Sequence, residues 1–358
     1  MSLTSIAVGG ERPYEVVVGN GAIAALPSFV GPDTRTVAVI HPASLGEIAR
    51  PALRALRDAG YLVHAEQIPD GEAAKDIAVA TALWSRLAAC RVSRSDAIVG
   101  LGGGAATDLA GFTAATWLRG VRLVLMPTTL LGVVDAAVGG KTAINIPEGK
   151  NLVGAFYPPA GVVADLDVLA SLPAADYASG LAEVIKAGFI ADPVILDLVE
   201  ADPKRAARPG GPHERELIER AVRVKAEVVT ADPREAGLRE MLNYGHTLGH
   251  AIERTEGYRI RHGMAVAIGM VFAAAVARRA GRLDAATGER HRAILAAAGL
   301  PTGYRPGAWQ QLREAMAVDK KSRAARLRLV VLDGLARPGI LDDPSEELLE
   351  QAYQEVTG

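Results

Sequence analysis

Three of the seven histidines in the chain lie close together, at positions 246, 250 and 262. His246 and His250 are four residues apart in a segment with helical periodicity, so their side chains share one face of the predicted helix. His262 opens the next predicted helix. Neutral imidazoles with one carboxylate are a ligand set typical of zinc. Spacing alone therefore predicts a metal site in which His246 and His250 are both ligands; the alternative is a set of ordinary surface or core histidines.

Glu183 and Lys186 lie three residues apart in the string SGLAEVIKAGF, on one face of a predicted helix. Their neighbours in the string are mainly Leu, Ala, Val and Ile, so this face does not resemble a solvated one. An acid and a base in an apolar setting could serve binding or catalysis. The alternative is an exposed ion pair.

A glycine-rich turn, LGGGAATD, runs from Leu101 to Asp108 after a predicted buried strand and opens a helix. Glycines let the backbone approach an anion closely, and a helix N-terminus supplies free N–H groups. The turn therefore suits a dinucleotide pyrophosphate, although it is not the GxGxxG pattern. The alternative is a turn packed tightly for structural reasons.

The stretch from Pro127 to Asn151 mixes apolar residues with polar groups that would be costly to bury without partners. Lys141 and Lys150 lie in it beside several glycines. Lysines in such a setting suit a phosphate or a carboxylate. We expect an anion-binding segment here; an ordinary surface loop is the alternative.

The elements that must position these residues divide the chain in two. In the first half strands alternate with helices, which indicates βαβ units and a parallel sheet. After about Leu172 helical periodicity dominates, with one late strand, Arg326–Leu332. We therefore expect a Rossmann-like α/β domain that binds a dinucleotide over residues 1–170, and a mainly α-helical domain that binds metal and substrate over residues 171–358. The predicted strands are Thr36–His41, Tyr61–Ile68, Ala97–Leu101 and Val121–Met126, and the predicted helices are Leu45–Ala59, Lys75–Cys90, Thr107–Leu118, Tyr177–Phe189, Val194–Val199, Glu214–Val229, Leu238–Arg254, Met264–Ala280, Ala285–Ala298 and Trp309–Ala317.

Composition excludes several classes of function. The net charge is -2 and aromatic residues make up 4% of the chain, so neither a basic footprint nor stacking aromatics indicate a nucleic-acid partner. The most apolar stretch, Met264–Ala277, is too short to span a membrane. Cys90 is the lone cysteine, which excludes an internal disulfide and a cysteine-built metal site. With no signal peptide at the N-terminus, we expect a soluble, cytoplasmic protein.

Several long strings, in a fixed order over roughly residues 60–325, resemble the 3-dehydroquinate synthase family. The resemblance implies the two-domain fold of that family. The strings are PDGEAAKD (Pro69–Asp76), GGGAATDLAGF (Gly102–Phe112), MPTTLLGVVDAAVGGKTAIN (Met126–Asn145), GKNLVGAF (Gly149–Phe156), ASGLAEVIKAG (Ala178–Gly188), KAEVV (Lys225–Val229), GLREMLNYGHTLGHAIE (Gly237–Glu253), HG (His262–Gly263) and DKK (Asp319–Lys321).

The resemblance also implies site residues. Zinc, with Co²⁺ as a possible substitute, would be bound by Glu183, His246 and His262, while His250 would touch the substrate and move protons. NAD would be contacted by Asp70, Gly71, Glu72, Ala73, Ala74, Lys75, Gly103, Gly104, Ala105, Ala106, Thr107, Asp108, Thr128, Thr129, Lys141, Lys150, Val168, Leu169, Ala170 and Ser171. The substrate would be contacted by Arg119, Asp135, Lys141, Asn151, Lys186, Lys225, Arg239, Asn243, His250 and Lys321 or its neighbour Lys320, with Glu235 close by.

The reaction implied by the resemblance converts 3-deoxy-D-arabino-heptulosonate 7-phosphate, a sugar phosphate, into 3-dehydroquinate and phosphate. NAD⁺ oxidises a hydroxyl, phosphate leaves by elimination, the hydride returns, and an intramolecular aldol step closes the carbocycle. The resemblance further implies a homodimer in which Arg119 reaches the neighbouring subunit's site. One segment departs from the family pattern: Ile40–Ser44 lacks the acid that usually binds the adenosine ribose, so the preference for NAD over NADP rests on the resemblance.

Three alternatives remain at this point. Another sugar phosphate cyclase would share the plan, but Lys225, Arg239 and Asn243 favour a substrate with a carboxylate. A metal-dependent polyol or alcohol dehydrogenase would accumulate NADH instead of releasing phosphate. A non-enzymatic binding protein would leave the clustered histidines and lysines unexplained. Within the predicted helix Leu238–Arg254, we expect one stripe on a single face, with a guanidinium for a carboxylate at one end and imidazoles at the other; it comprises Arg239, Asn243, His246 and His250.

Overall fold

The structure, a computed structural model, describes residues 3–321 and 326–357, and of residues 318–321 it describes the backbone alone. The chain divides into two compact units. The first contains Met1–Leu172 and Lys225–Arg234, and the second contains Pro173–Val224 and Glu235–Gly358. No sequence signal predicts that Lys225–Arg234 belongs with the first unit.

The first unit is built on a seven-stranded sheet with helices around it. Strands β3, β5 and β9 are buried along their whole length, as expected of parallel strands covered on both faces. The strand order is β1-β2-β9-β6-β5-β3-β4, and every neighbouring pair is parallel except β1 with β2. The sheet strands are β1 Thr4–Val8, β2 Tyr14–Gly19, β3 Thr36–Pro42, β4 Leu62–Ile68, β5 Ala97–Gly102, β6 Arg122–Pro127 and β9 Gly161–Asp165; two further strands, β7 Lys141–Ile146 and β8 Gly149–Phe156, form a separate hairpin. The helices are α1 Leu26–Val30, α2 Gly46–Asp58, α3 Ile77–Ala89, α4 Gly104–Thr116 and α5 Leu166–Leu169.

The glycine-rich turn joins β5 to α4, as the sequence predicts. Gly102 has a φ of 150°, and a Cβ there would lie 2.6 Å from the Cβ of Ala106. A side chain at this position would therefore force the strand away from the first turn of α4. The turn places the N-terminus of α4 directly at the end of a buried strand.

The second unit is mainly helical. Its helix α11, which carries the most apolar stretch of the sequence, is buried along almost its whole length and forms the centre of this unit. Among the described residues, none of the helices is both long and apolar enough to span a bilayer. The helices are α6 Ala174–Ile190, α7 Val194–Ala201, α8 Pro203–Ala206, α9 Glu214–Ala231, α10 His246–Thr255, α11 His262–Arg279, α12 Ala285–Ala297, α13 Trp309–Lys321 and α14 Glu346–Glu355, with a hairpin of β10 Arg328–Leu332 and β11 Pro338–Asp342; α9 ends in the first unit.

Helices α6, α10 and α11 approach one another closely because glycines lie where they meet. A Cβ on Gly269 of α11 would lie 1.8 Å from the backbone oxygen of Gly245, just before α10. A Cβ on Gly263 would lie 1.8 Å from the backbone oxygen of Ser179 on α6. Neither position leaves room for a side chain, so the close packing of these helices depends on both glycines.

The prediction of one helix over Leu238–Arg254 is wrong. Gly245 adopts a left-handed conformation with a φ of 79°, so the segment splits into a 3₁₀ turn, Leu238–Asn243, and helix α10. The predicted stripe on one helix face is therefore wrong as well. Arg239 and Asn243 lie on the turn, whereas His246 and His250 lie on α10.

Candidate active site

Three helix positions bring Glu183, His246 and His262 together in the second unit. Glu183 lies inside α6, and each histidine is the first residue of its helix, α10 or α11. The Oε1 atom of Glu183 is 3.7 Å from Nε2 of His246 and 3.5 Å from Nε2 of His262. The structure thus groups His246 with His262 and a carboxylate, rather than with His250 as spacing alone predicts.

The donor atoms of this triad fit a metal ion. Two ligands of a tetrahedral zinc ion are about 3.4 Å apart when each bond is about 2.05 Å long, close to the distances found here. Glu183 Oε1 is buried and has no hydrogen-bond partner. The other carboxylate oxygen pairs with Lys186, whose Nζ also donates to the Leu242 carbonyl at 2.7 Å. Lys186 therefore fixes Glu183 so that its other oxygen faces the two imidazoles.

Hydrogen bonds on the far side of each ring determine which imidazole nitrogen faces Glu183. Nδ1 of His246 lies 3.1 Å from the backbone oxygen of Tyr244, and Nδ1 of His262 lies 3.2 Å from Oε2 of Glu253. Carbonyl and carboxylate oxygens only accept, so each Nδ1 carries the proton. With Nδ1 occupied in this way, Nε2 is the nitrogen of each ring that would bind a metal ion, once any proton on it has been displaced.

The buried charges of the triad shift one another's protonation. Burial opposes ionisation of Glu183, but Lys186 and the two histidines outweigh it and hold its pKa well below the usual value. Burial and Lys186 lower the pKa of His246. Burial also acts against the charge of His262, but contacts with Glu183 and Glu253 raise its pKa to about 10. The site therefore keeps an ionised carboxylate beside His246, whose neutral form is favoured.

A polar cavity of about 160 Å³ lies beside the triad and is open to solvent. The exposed ring of His250 is 5.1 Å from that of His246 and 6.1 Å from that of His262, between centroids. The amide of Asn243 donates to Glu235 at 3.2 Å, while Arg239 is fully buried. The cavity is lined by Glu240, Asn243, His246, Thr247, His250, Met316, Arg326, Leu327, Arg328 and Val330.

The first unit has its own cavity, of about 150 Å³, at the glycine-rich turn. It lies at the N-terminus of α4 and at the ends of β3 and β4, where a parallel sheet commonly binds a ligand. Of the predicted NAD contacts, Thr128 and Thr129 follow β6, and Val168–Ser171 lie on or just after α5. The cavity is lined by Pro42, Pro69, Gly71, Ala74, Gly103, Gly104, Ala105 and Ala106.

Two ion-pair networks organise the other predicted residues of the first unit. Lys75 is buried, bonds Asp108 at 2.5 Å and also donates to Asn151. Burial raises the pKa of Asp108 to about 6, although Lys75 acts in the opposite direction. Lys225 pairs with Asp135, and Lys150 lies 3.6 Å from Glu72. Asn151, a predicted substrate contact, is thus bonded to a predicted NAD contact.

Four more predicted residues lie at the ends of secondary-structure elements. Arg119 is exposed and left-handed, with a φ of 66°. Lys141 is exposed at the start of β7. Lys320 and Lys321 end α13, but their side chains lie outside the described residues.

The chain matches known proteins over nearly its whole length. The family profile for the N-terminal part of 3-dehydroquinate synthase matches residues 65–179, and the profile for the C-terminal part matches residues 180–322. The chain belongs to the 3-dehydroquinate synthase family. A 3-dehydroquinate synthase of Thermobifida fusca is 66% identical over 100% of this chain and 98% of its own, and one of Streptomyces avermitilis is 58% identical over 99% of each.

Solved structures similar to this 3-dehydroquinate synthase family member include sugar phosphate cyclases. A 2-deoxy-scyllo-inosose synthase complexed with carbaglucose-6-phosphate, NAD⁺ and Co²⁺ has a TM-score of 0.89 at 27% identity, covering 99% of this chain and 100% of its own. A 2-epi-5-epi-valiolone synthase from Streptomyces hygroscopicus subsp. jinggangensis, with NAD⁺ and Zn²⁺ bound, has a TM-score of 0.89 at 26% identity, covering 98% of each chain. They share the two-domain fold of an α/β unit and a helical unit.

Sequence reasoning missed several residues that support the site of this 3-dehydroquinate synthase family member. Ser179 accepts from the backbone N–H of Gly263 at 2.9 Å, which ties α6 to the residue after His262. Glu253 contacts His262, as described above. The spacing carries a signal for both, because Ser179 precedes Glu183 by four residues and Glu253 follows His250 by three.

A second missed group supports Tyr244, two residues before α10. His291 is completely buried on α12 and stacks on Phe189, with ring centroids 3.5 Å apart. Its Nδ1 bonds the carbonyl of Thr287 at 2.7 Å, so Nδ1 carries the proton and Nε2 accepts from the Tyr244 hydroxyl at 2.8 Å. Burial lowers the pKa of His291 to about 4. His291 is therefore neutral in the folded protein at neutral pH.

This imidazole predicts acid sensitivity. An unfolded histidine takes up a proton near pH 6.5, but His291 in the fold resists protonation until about pH 4. The unfolded state then binds more protons between these values, so the free energy of unfolding should fall as the pH drops from about 6.5 to 4, by about 2.5 kcal/mol from this group. Urea unfolding of wild type and of His291→Gln across this pH range isolates the contribution of His291 to the free energy of unfolding. If that free energy changes equally with pH in the two proteins, the prediction is contradicted.

Proposed function

We propose that this chain is a 3-dehydroquinate synthase, which converts 3-deoxy-D-arabino-heptulosonate 7-phosphate into 3-dehydroquinate and phosphate, a carbon–oxygen lyase reaction. The observation that carries the proposal is the convergence of Glu183, His246 and His262, with a buried carboxylate oxygen that has no hydrogen-bond partner, in a member of this family. Relatives of 56–66% identity that carry this name support the choice among the cyclases.

The proposed cofactors are NAD and zinc. When bound, NAD would accept a hydride and return it within one turnover, and zinc would act as a Lewis acid toward the hydroxyl that is oxidised. The cavity at the glycine-rich turn supports NAD, because the N-terminus of α4 offers free N–H groups to a pyrophosphate. The triad of Glu183, His246 and His262 would hold the zinc ion.

The remaining residues would bind, orient and exchange protons. We propose that Lys225, Arg239 and Lys141 bind the carboxylate and phosphate of the substrate, since charge-assisted hydrogen bonds to anions fix geometry as well as charge. His250, exposed at the polar cavity, suits proton transfer near neutral pH. Lys186 is buried against Glu183, so we propose that it positions that ligand in addition to its predicted substrate contact.

A mixture of substrate, enzyme, NAD and zinc tests this function. We expect phosphate and 3-dehydroquinate to form in equal amounts, no NADH to accumulate, and a chelator to stop both products. Lasting NADH accumulation would indicate a dehydrogenase instead. A heptulose phosphate without the carboxylate, such as sedoheptulose 7-phosphate, is the comparison substrate. If it is cyclised equally well, the chain is a related cyclase with another substrate.

The ends of β3 and β4 predict a preference for NAD over NADP. The segment at the end of β3 lacks an acid, but the Ser44 hydroxyl there donates to the carboxylate of Asp70, which follows β4. Pro69 and Gly71, on either side of Asp70, line the cavity at the glycine-rich turn. An acid here would accept from a ribose hydroxyl and repel a 2′-phosphate. We expect wild type to bind NAD at least about 10-fold more tightly than NADP, a difference of about 1.4 kcal/mol.

Calorimetric titration with each dinucleotide measures that ratio. Asp70→Asn removes the charge and should bring the two affinities closer together. Asp76→Asn is the matched control, because Asp76 caps α3 by accepting from Ala78 N–H at 2.7 Å, and asparagine also caps helices well. A ratio that stays the same in Asp70→Asn would assign the selectivity to other residues.

We also propose that the enzyme is a cytoplasmic homodimer. The lone Cys90 suits a reducing compartment. Exposed apolar side chains on the hairpin and beside Arg119 support a protein contact in the first unit; they are Leu118, Leu152, Val153 and Phe156.

A further inference from the structure

Glu253 lies on the same face of α10 as His246, which belongs to the triad, and His250, which does not. It follows His246 by seven residues and His250 by three, a spacing that aligns side chains along one side of a helix. Its carboxylate is largely buried, with 13% of the side chain exposed, and Oε2 lies 3.2 Å from Nδ1 of His262 at the start of α11. The carboxylate therefore joins the end of one helix to the beginning of the next.

The ring of His262 lies between two carboxylates. Nε2 is 3.5 Å from Glu183 Oε1, and Nδ1, on the other side of the ring, is 3.2 Å from Glu253 Oε2. An ionised carboxylate can only accept, so Glu253 holds the proton on Nδ1, and Nε2 is the nitrogen that would lose its proton to a bound metal ion. It also restricts rotation of the ring, because a turned ring would lose this bond. For His246 the backbone oxygen of Tyr244 has the same role.

We infer that Glu253 is a positioning residue that sets the tautomer and orientation of His262 as a metal ligand. The inference rests on the metal site of the proposed function. Carboxylates that accept from the distal N–H of a metal-bound histidine also raise the basicity of the ligand, and their loss typically weakens metal binding 10–100-fold.

A competing arrangement is a second metal site. His250, Glu253 and His262 could by themselves hold an ion, since their donor atoms lie within 4.8 Å of one another. A neutral imidazole, however, has one lone pair, so His262 cannot serve an ion in each group while its other nitrogen keeps a proton. Because the two groups share His262, the geometry favours one ion at Glu183, His246 and His262, with Glu253 behind the ring.

Zinc titration against a chromophoric chelator tests the inference in the full-length protein. We expect one zinc ion per chain in wild type, and a dissociation constant 10–100-fold higher in Glu253→Ala. Glu253→Gln keeps an amide oxygen that accepts from Nδ1–H, so its zinc affinity should stay within about 5-fold of wild type and rescue the alanine defect. Glu256→Ala is the matched control, because this carboxylate lies one turn further on and pairs with Arg305 and Tyr304 instead.

Other results of the zinc titrations would distinguish this inference from a second metal site and from the absence of a zinc site. Wild-type affinity in Glu253→Ala overturns the inference, and so does a Gln variant as weak as the Ala variant, because charge alone would then explain the effect. Two zinc ions in wild type and one in Glu253→Ala would establish the second site. Failure of wild type to bind zinc would refute the proposed metal instead. Circular dichroism shows whether the Ala variant folds. If it does not, the zinc affinity of Glu253→Gln relative to wild type still tests the role of Glu253 as an acceptor, and the wild-type zinc stoichiometry still tests the second site.

Discussion

His246→Ala is expected to remove bound zinc and to lower turnover at least about 1000-fold, equivalent to about 4 kcal/mol of barrier. The imidazole is one of the three candidate metal ligands, with Glu183 and His262, and its removal leaves a two-residue site. Metal analysis of the dialysed protein by mass spectrometry gives the zinc content, and phosphate release gives the turnover. Retention of stoichiometric zinc by His246→Ala would refute the assignment of this ligand.

His250→Ala is the comparison that separates metal binding from proton transfer. This histidine lies on the same helix, one turn later, and its ring contacts those of His246 and His262. It is exposed at the polar cavity beside the triad and does not belong to the triad itself. We expect it to keep zinc but to lose about 100-fold or more of the turnover, as is typical when a general acid or base is removed. Zinc loss in this variant, with zinc kept in His246→Ala, would reverse the two roles.

Gly269→Ala is expected to lower the free energy of unfolding by at least about 3 kcal/mol, or to prevent folding of the second unit. The new Cβ would lie 1.8 Å from the backbone oxygen of Gly245, which has no flexible side chain to move away. Relief requires a shift of α11 or of the start of α10, where His246 is located. Thermal unfolding of the metal-free protein and zinc titration should both show the loss.

Gly288→Ala is the matched control for this substitution. It also lies inside a helix, α12, but its Cβ would lie 3.5 Å from the nearest atom, in the flexible side chain of Arg278. Alanine is a better helix former than glycine by about 0.5–1 kcal/mol, so this variant should be as stable as wild type or more so. A wild-type unfolding midpoint for Gly269→Ala would mean that the two helices separate more easily than their packing indicates.

Much of the first unit could be predicted from sequence because parallel strands are continuous apolar runs followed by helices. Strands β3, β5 and β6 are such runs and have counterparts among the predicted elements, as does β4, although its sequence LVHAEQI is more polar. The flanking strands β1, β2 and β9 have no counterparts among the predicted elements, since runs of five or six residues without a following long helix carry little periodicity. The sequence of the β7–β8 hairpin indicates only an anion-binding stretch, because its polar residues obscure the alternation typical of strands.

The candidate site was harder to predict, because its geometry depends on how three helices meet. Spacing along the chain pairs His246 with His250, whereas the close approach of α10 to α11 brings His246 to His262. The break at Gly245 has no local signal that separates it from a glycine tolerated within a helix. The family resemblance predicts the ligands themselves, whereas the supporting contacts of Glu253, Ser179 and His291 depend on how the helices pack in three dimensions.

The two imidazoles of the triad differ in whether a mutation can remove the hydrogen-bond acceptor of Nδ1. The acceptor for His246 is the main-chain oxygen of residue 244, which every side chain at that position leaves in place. The acceptor for His262 is the side chain of Glu253, which a single codon change can abolish. If a laboratory evolution experiment selects for lower metal affinity or for a different metal, substitutions should therefore accumulate at position 253 far more readily than at position 244. One half of the site is adjustable by mutation, while the other follows from the path of the backbone.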